Sequence, residues 1–469
     1  MRLSSVAIAT ACLFVLSVFV PTHTARAADP EVEELKRQVD VLMKRVQELE
    51  KSKAHPAPAP AAAPAPGPGP AQAPQSVGAT SPVKPRGSFN DQQQAAPRPD
   101  DLTLDPKYRG FNQVPNTPVL IKFNAKPRVD GTYDNHNSGN EDRFPTAQIP
   151  VEGDADHGGD GVFNMNAKGS QLRIDVRAPQ VAGSPRFYYE NDFFGSGGGE
   201  FPYRIRHLYG QIYNVIVGQT FSVFEDPDVW PDTVDYEGPN ANVFARRPLV
   251  RFQHRFGEEW QLNLGIEQPE SEIDASIDPG ASGRNEAPDG GFNVRWERSD
   301  TGHVQFATIL RDLGVEGPIV GDQNVLGWGL NLSGGFDVFG SDSLQAEITY
   351  GEGIFRYIND DFQNTDAAFD SDNNLEALPV VAGLFGYTHH WNEALRSTVS
   401  YGYVDVNNAA SQDGDAYDIT HYASINLVWQ IRKRLSVGLE ELYGFKEEND
   451  GDDGSVFRTQ LGLVYQIFD

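Results

Sequence analysis

Hydrophobic and polar residues alternate along the stretch at residues 119–133. From Ile121 onward every odd position is apolar, aromatic or small, and the even positions are polar, with cations at Lys122, Lys126 and Arg128. A period of two over about a dozen residues predicts a β-strand with one apolar and one polar face. Because the polar face carries three cations, we expect it to stay hydrated.

Similar segments recur to the end of the chain, and sixteen candidate strands are predicted. Most of them alternate, as in Leu344 and Ile348 against Gln345 and Glu347. The segment at 202–213 loses its alternation after Arg206, which indicates a β-bulge. The predicted strands lie near 119–133, 170–178, 185–193, 202–213, 214–223, 248–256, 259–267, 291–298, 302–311, 325–336, 343–351, 379–391, 395–404, 419–430, 434–443 and 456–467.

The predicted connections alternate between long and short. Short turns such as 257–258 and 299–301 separate longer links, which is typical of an up-and-down membrane barrel and not of a soluble sandwich. An even strand number also places both barrel ends on the short-turn side. The sequence therefore predicts an all-β fold, a 16-stranded antiparallel transmembrane β-barrel over residues 118–469. The predicted long links lie at 134–169, 224–247, 268–290, 312–324, 352–378, 405–418 and 444–455.

The first residues have the features of a secretory signal peptide, predicted over residues 1–27. Arg2 precedes an apolar run at 6–20, and Ala25 and Ala27 form a small-x-small cleavage site. An uncleaved anchor helix is the alternative, although the run is short for a span of roughly 20 residues. Cys12 is the only cysteine, so no disulfide framework is expected in the mature chain.

A heptad pattern follows the signal and predicts a coiled-coil helix over residues 28–53, with the N-terminal α-helix in the periplasm. Valine at a and leucine at d lean towards a dimer; a single amphipathic helix on the protein's own surface is the alternative. Residues 54–117 are Pro/Ala-rich at first and then polar, and they are predicted to be a disordered linker. The heptad positions are Val32, Leu35, Val39, Leu42, Val46 and Leu49.

Charge is unevenly distributed along the acidic chain. The net charge of −28 argues against a nucleic-acid partner. The long loops are rich in Asp and Glu, whereas the predicted inward faces collect Lys and Arg, which would attract anions in an aqueous channel. The alternative is that these cations pair with inward acids such as Asp130, Asp175, Glu190 and Asp192. The candidate pore-lining residues are Lys122, Lys126, Arg128, Arg173, Arg177, Arg204, Arg206, Arg246, Arg247, Arg251 and Arg255.

The third long loop, at 224–247, contains three prolines and a tryptophan, which indicates an ordered structure. Folded into the lumen, it would be a constriction loop whose acids face the arginines. The alternative is an outward loop packed on a neighbouring subunit. Its candidate constriction residues are Glu225, Asp226, Asp228, Trp230, Asp232 and Asp235.

Catalytic and cofactor motifs are missing from the sequence. We find no nucleophile–histidine–acid set and no phosphate-binding glycine loop. His389 and His390 are interpreted as a rim pair and not as a metal site. We therefore expect no enzymatic activity, no cofactor and no metal.

Several strings resemble the DcaP-like family of Gram-negative outer-membrane porins. They include IKFNAKPRVDGTYD at 121–134, VGQTFSVFEDPDVWPDT at 217–233 and YGEGIFRYIND at 350–360, together with the coil and the Pro-rich linker. The resemblance implies a trimeric sixteen-stranded diffusion channel that prefers small anions such as dicarboxylates, with that preference carried by Arg173, Arg177, Arg204 and Arg206. Porins usually end on an aromatic residue, but Asp469 follows Phe468 here.

Together these observations predict a passive porin in the outer membrane of a Gram-negative bacterium. The expected partners are two further copies in a homotrimer, outer-membrane lipid and lipopolysaccharide, small anionic solutes and a periplasmic partner of the coil. One alternative is a porin for neutral solutes, sugars or phosphate. Another is a non-conducting structural tether or adhesin with a plugged barrel.

Overall fold

The computed structural model describes residues 110–467 except 198, 300 and 361–364. The predicted signal peptide, the coiled coil and most of the linker lie outside the described residues. Within them no helix is long and apolar enough to cross a membrane. The described chain is almost entirely strands and loops, with short 3-10 turns at Thr146–Gln148, Pro227–Val229 and Phe355–Tyr357.

The strands, numbered in chain order, become longer towards the C-terminus. They are β1 Asn112–Gln113, β2 Leu120–Lys126, β3 Arg128–Asp134, β4 Val162–Asn166, β5 Gln171–Arg177, β6 Arg186–Asp192, β7 Arg204–Ile212, β8 Val215–Phe221, β9 Arg246–Phe256, β10 Trp260–Glu267, β11 Ser282–Arg284, β12 Asp289–Arg298, β13 Gly302–Gly317, β14 Gly321–Val338, β15 Asp342–Glu352, β16 Ala367–Phe369, β17 Leu375–Ala377, β18 Pro379–Asn392, β19 Leu395–Val406, β20 Tyr417–Arg432, β21 Leu435–Glu448 and β22 Asp453–Tyr465.

One antiparallel sheet contains all of these strands except the β16–β17 hairpin. The last strand returns to the beginning, because β22 pairs with β3 and places Thr459 opposite Tyr133. Beyond this ladder the Ile467 N–H donates to the Ala125 carbonyl at 3.0 Å. The sheet therefore closes on itself as a β-barrel, and the all-β prediction is confirmed.

The two faces of the wall differ in the way that the alternation predicts. On β14 Leu330 and Leu332 are 41% and 51% exposed, whereas Asn331 and Ser333 between and beside them are almost fully buried. The apolar face therefore points outwards and the polar face points into the barrel. This is the arrangement of a membrane barrel with a polar interior.

Two of the predicted long links are wrong, because they belong to strands. β13 and β14 continue through most of 312–324 and leave only residues 318–320 as a turn, and β21 and β22 take up most of 444–455. In β13 the polarity inverts beyond Arg311: Leu313 and Val315 are buried, whereas Glu316 is exposed. The inward apolar residues pack against Phe369 and its neighbours in the folded loop. The predicted link at 134–169 likewise contains β4.

Candidate functional site: the polar interior

Charge divides the barrel wall into two parts. We call β2–β9 the arginine wall, since these strands contain twelve Lys or Arg against five Asp or Glu. The remaining wall strands, β10, β12–β15 and β18–β22, contain seven Lys or Arg against seventeen Asp or Glu. We call this second part the loop-bearing wall, for the contacts described next.

The connection between β8 and β9, residues 222–245, lies inside the barrel, and we call it the interior loop. All but a few of its side chains are buried. The loop begins with an ordered turn: Asp226 caps the 3-10 turn by accepting the Asp228 N–H at 3.2 Å, and Pro227 occupies the first position of that turn, where a missing N–H costs nothing. The chain is thereby directed across the interior and away from the rim.

Acidic side chains of the interior loop bind cations of the loop-bearing wall. Asp226 accepts from Arg295 and His303, both at 2.9 Å. Asp228 binds Arg295 at 2.6 Å. Burial raises the pKa of Asp226, but His303 and Arg295 outweigh burial and hold it well below its ordinary value. Further along the loop, Asp232 pairs with Arg396.

Carboxylates of the loop-bearing wall accept hydrogen bonds from the backbone of the interior loop. Glu267 accepts the Val223 N–H at 2.6 Å, and Glu347 accepts the Val243 N–H at 3.1 Å. Glu440 accepts the Asp235 N–H at 2.5 Å. Because these contacts come from β10, β15 and β21, the loop is fixed along much of the barrel circumference.

Two further acids of the loop act within the loop. Glu225 closes the base of the loop by accepting the Ala245 N–H at 2.9 Å, and burial raises its pKa well above the ordinary value. Asp235 accepts the Gly238 N–H at 2.9 Å. Burial, with Glu237 nearby, raises the pKa of Asp235 to about 6. Trp230 packs against Phe244, with ring centroids 4.7 Å apart.

Most predicted arginines of the arginine wall lie against inward acids of the same wall. Arg128 pairs with Asp130, and Arg177 pairs with Asp175, at N–O distances of 2.5 and 2.8 Å. These contacts follow the alternative in which inward cations and acids pair. The remaining pairs are Arg173–Glu190 at 3.1 Å, Arg204–Asp192 at 2.7 Å, Arg206–Glu190 at 2.7 Å and Arg206–Asp192 at 3.1 Å.

The arginines of β9, at the edge of this wall that adjoins β10, have fewer contacts with acids. Arg246 and Arg251 are half-buried, and among the described residues the Nε and Nη2 of Arg246 and the Nε of Arg251 have no hydrogen-bond partner. The Arg246 guanidinium lies 4.3 Å from the Phe244 ring centroid. Arg247 is 20% exposed and lies 3.8 Å from Glu270. The predicted cations Lys122, Lys126 and Arg255 are half-buried, buried and exposed respectively.

Several residues that organise the interior were not among the sequence candidates. Arg295 and Arg396 lie at inward positions of alternating strands, so the same period of two contained the signal for them. Tyr236, buried against the arginine wall, had no such signal because it lies in a loop. A second loop also enters the interior: Asp360 accepts the Ala147 N–H at 3.0 Å and the Thr420 hydroxyl at 2.8 Å. Burial raises the pKa of Asp360.

The His, Asp and Glu side chains in the part of the chain that the structure describes are also potential metal ligands. No group of three or more His, Cys, Asp or Glu side chains there is arranged to hold a metal ion. The predicted rim pair separates: His389 binds Asp342 at 2.7 Å, whereas His390 interacts with it through its backbone N–H at 3.0 Å.

Comparison with known proteins identifies relatives by fold. The crystal structure of the outer membrane channel DcaP of Acinetobacter baumannii is similar with a TM-score of 0.68 and 22% identity, covering 76% of this chain and 99% of that chain. An anion-selective porin from Comamonas acidovorans has a TM-score of 0.48 and 11% identity, covering 74% of this chain and 100% of that chain. No curated protein matches the chain.

A family model gives the stronger result. The model of the DcaP outer membrane protein family matches residues 112–467, which is well over half of the chain and includes both walls and the interior loop. The resemblance inferred from the sequence strings is confirmed by this match. The chain therefore belongs to the DcaP outer membrane protein family, whose members are outer-membrane channels.

Proposed function

We propose that the protein lets small hydrophilic anions, dicarboxylates among them, diffuse passively through its barrel, without catalytic chemistry. Membership of a channel family supports passage through the interior. The observation that carries the anion preference is the charge asymmetry of the wall, twelve cations against five acids on the arginine wall. Low-dielectric walls focus such a field and raise the local concentration of anions.

The arginines that a passing anion would contact can be inferred from their ion pairs with acids and from their exposure. Arg246 and Arg251 are half-buried, and neither forms an ion pair with an acid among the described residues, so the exposed part of each guanidinium would meet a passing carboxylate. Their nitrogens without a hydrogen-bond partner are themselves buried, and Arg251 Nη1 donates to the Phe221 carbonyl at 3.2 Å. The guanidinium fork suits carboxylate geometry. Arg204 and Arg247, with side chains 26% and 20% exposed, would extend the path.

We also propose that the interior loop forms the constriction predicted at 224–247. The loop is attached to the loop-bearing wall through Asp226, Asp232 and the acceptors Glu347 and Glu440. Cations on the far side of the lumen remain partly exposed. The open path would then run between the loop and the arginine wall, which places acids on one side and arginines on the other.

The barrel itself is proposed to have sixteen wall strands and to form a homotrimer. Sixteen results when β2 with β3, and β4 with β5, are each counted as one strand. The wall is uneven, since β6 and β8 have seven residues whereas β13 and β14 have 16 and 18. A membrane strand needs about 9–11 residues, so the short side is the one that neighbouring subunits would cover.

For the N-terminal region we propose the organisation that the sequence predicts. Residues 1–27 would direct export, and the coil at 28–53 would lie in the periplasm on the linker and contact a periplasmic partner. The apolar outer face of the wall would meet outer-membrane lipid and lipopolysaccharide.

One observation favours a second candidate function. The interior loop and the loop containing Asp360 together occupy much of the interior, and their side chains are mostly buried. A barrel closed in this way would be a structural tether or adhesin that does not conduct. Preference for neutral solutes, sugars or phosphate is the remaining alternative among porins.

A bilayer measurement tests the proposal. Purified protein should conduct in three equal steps, and its reversal potential under a KCl gradient should indicate anion preference. The double variant R246Q/R251Q should lower the anion-to-cation permeability ratio by at least about twofold, because it removes two cations from the focused field. The double variant R298Q/R432Q removes the same charge at exposed positions and should leave the ratio unchanged.

Three outcomes would contradict the proposal in different ways. No current would favour the tether. Current without ion preference would favour a porin for neutral solutes. Cation preference would mean that the acids of the loops, and not the arginine wall, set the selectivity.

A further inference from the structure

Tyr236 is the residue by which the interior loop reaches the arginine wall. Its side chain is buried, with 4% exposure. The hydroxyl donates to Asp192 at 2.9 Å and accepts from Arg206 at 3.0 Å and from Gln171 at 2.8 Å. One donated and two accepted bonds use the full capacity of a hydroxyl group. Burial raises the pKa of Tyr236 to about 12, so the donated proton is kept at neutral pH.

The ring of Tyr236 lies against two guanidinium groups. The Cζ atoms of Arg128 and Arg206 are 5.1 and 5.5 Å from the ring centroid, within the range of a cation–π contact. Phe194 packs on the same ring, with centroids 4.8 Å apart. Gly169 makes room for this packing: a Cβ there would lie 2.8 Å from Arg128 Cδ and 3.1 Å from Tyr236 Cδ2.

One strand contains both an arginine that contacts Tyr236 and a more exposed arginine that can be compared with it. Arg204 and Arg206 are two residues apart on β7, and both bind Asp192. The Arg204 side chain is 26% exposed, whereas that of Arg206 is 1% exposed. Their shared carboxylate gives no reason for this difference. Two contacts made by Arg206 but not by Arg204 give one: Arg206 also pairs with the buried Glu190 at 2.7 Å, and the ring and hydroxyl of Tyr236 lie against it.

We propose that Tyr236 is a specificity-determining residue that keeps Arg128 and Arg206 out of the aqueous path. The tyrosine limits how many cations a passing ion meets and how wide the path is beside them. Five cations surround it against four acids, so uncovering this group should add positive potential to the lumen. The cations are Arg128, Arg173, Arg204, Arg206 and Arg246, and the acids are Asp130, Glu190, Asp192 and Asp235. The inference rests on the proposed anion channel.

The first test compares substitutions at Tyr236 in bilayers. Y236A should raise both the single-channel conductance and the anion-to-cation permeability ratio, the latter by about twofold. Y236F keeps the ring and should retain the wild-type ratio. F369A is the matched control: Phe369 is fully buried on β16 in an apolar cluster with Leu313 and Val315, so its loss makes a similar cavity without uncovering Arg128 or Arg206, and the ratio should stay unchanged.

The outcomes separate this inference from the proposed function. If wild-type protein shows no current or no anion preference, the proposed function fails. If wild-type protein prefers anions but Y236A changes only the conductance, Tyr236 is merely an anchor of the loop and the inference is overturned. A ratio in Y236F that shifts as far as in Y236A would also overturn it, because the covering ring is retained there.

A second test measures accessibility without ion selectivity. Cys12 is the only native cysteine, so R206C and R204C can be labelled with a charged thiol reagent in a C12S background. R206C should react slowly beside Tyr236 and at least about tenfold faster with Y236A, since a buried thiol is shielded from the reagent. R204C should react rapidly in both backgrounds, whereas A307C, at a fully buried position, should react slowly in both and so reports that the barrel is folded. Equal reactivity of R206C with and without Tyr236 would overturn the inference.

Discussion

Acids on the two walls of the barrel bind different partners. On the loop-bearing wall, Glu347 and Glu440 accept backbone N–H groups of the interior loop. On the arginine wall, Asp175 and Asp192 each bind two guanidinium groups of their own wall. The same inward alternation of polar residues thus fixes the interior loop on the loop-bearing wall and places a cluster of cations on the arginine wall.

The acids of the loop-bearing wall stabilise the folded interior loop, whereas the excess cations of the arginine wall are available to act on passing ions. An acid that accepts a buried N–H cannot be removed without leaving that donor unsatisfied. On the arginine wall the cations exceed the acids, so some guanidinium nitrogens of Arg246 and Arg251 have no hydrogen-bond partner among the described residues. We therefore expect substitutions on the two sides to separate stability from selectivity.

The largest effect is expected at Asp226, the acid at the start of the interior loop. D226A removes the acceptor of Arg295, His303 and Ser333. Breaking this buried network should lower the free energy of unfolding by about 3–5 kcal/mol, measured by tryptophan fluorescence during guanidinium unfolding in micelles. D228A is the control, because Asp228 is 18% exposed and pairs with Arg295; its loss should cost about 1 kcal/mol. A cost for D228A as large as that for D226A would contradict this account of the loop.

Much of the wall could be predicted from the sequence, since each membrane strand has one lipid face and one polar face. The bulge indicated near Arg206 lies there, because Glu190 pairs with His207 while Asn191 pairs with Ile205. The beginning of β13 lies at residue 302 as predicted, but its C-terminal end at Gly317 could not be predicted in this way. Beyond Arg311 the strand buries apolar residues on its inner face, so the alternation changes phase.

The interior contacts were less accessible to sequence reasoning than the strands. A period of two says which side chains point inwards but not which acid each cation meets. Asp232 of the interior loop pairs with Arg396 of the loop-bearing wall, although the two residues are 164 positions apart in the chain. Tyr236 has no periodic signal at all. Such contacts depend on the path of the interior loop, which only the folded barrel defines.

An intermediate effect is expected from the titration of Asp235. Its pKa is raised to about 6 in the folded state by burial and by Glu237, and the unfolded value is about 4. The folded state therefore binds more protons between these values, and stability falls as the pH rises from about 4 to about 6. Above pH 7, D235N should be more stable than wild type by up to about 3 kcal/mol, while Asn keeps an oxygen for the Gly238 N–H.

The measurement is the difference between the two unfolding free energies across this pH range. Glu440, Arg458 and Tyr422 also face Asp235. Because D235N removes a charge beside Glu440, the difference reports the coupled titration of Asp235 and Glu440. A difference that stays constant from pH 4 to pH 8 would show that Asp235 ionises normally inside the barrel.

The smallest stability effects are expected on the arginine wall. There they distinguish an arginine that pairs with an acid from one that pairs with no acid among the described residues. R177Q removes contacts to Asp175, which keeps Arg186 at 2.8 Å, and should cost about 1–2 kcal/mol. R251Q removes a side chain whose Nη1 donates to the Phe221 carbonyl at 3.2 Å but which forms no ion pair with an acid among the described residues, and it should cost only about 0.5 kcal/mol. Reversal potentials should show the opposite order, because Arg251 is half-buried and Arg177 is buried. If R177Q reduced anion preference more than R251Q, pairing with a wall acid would not decide which arginines act on passing ions.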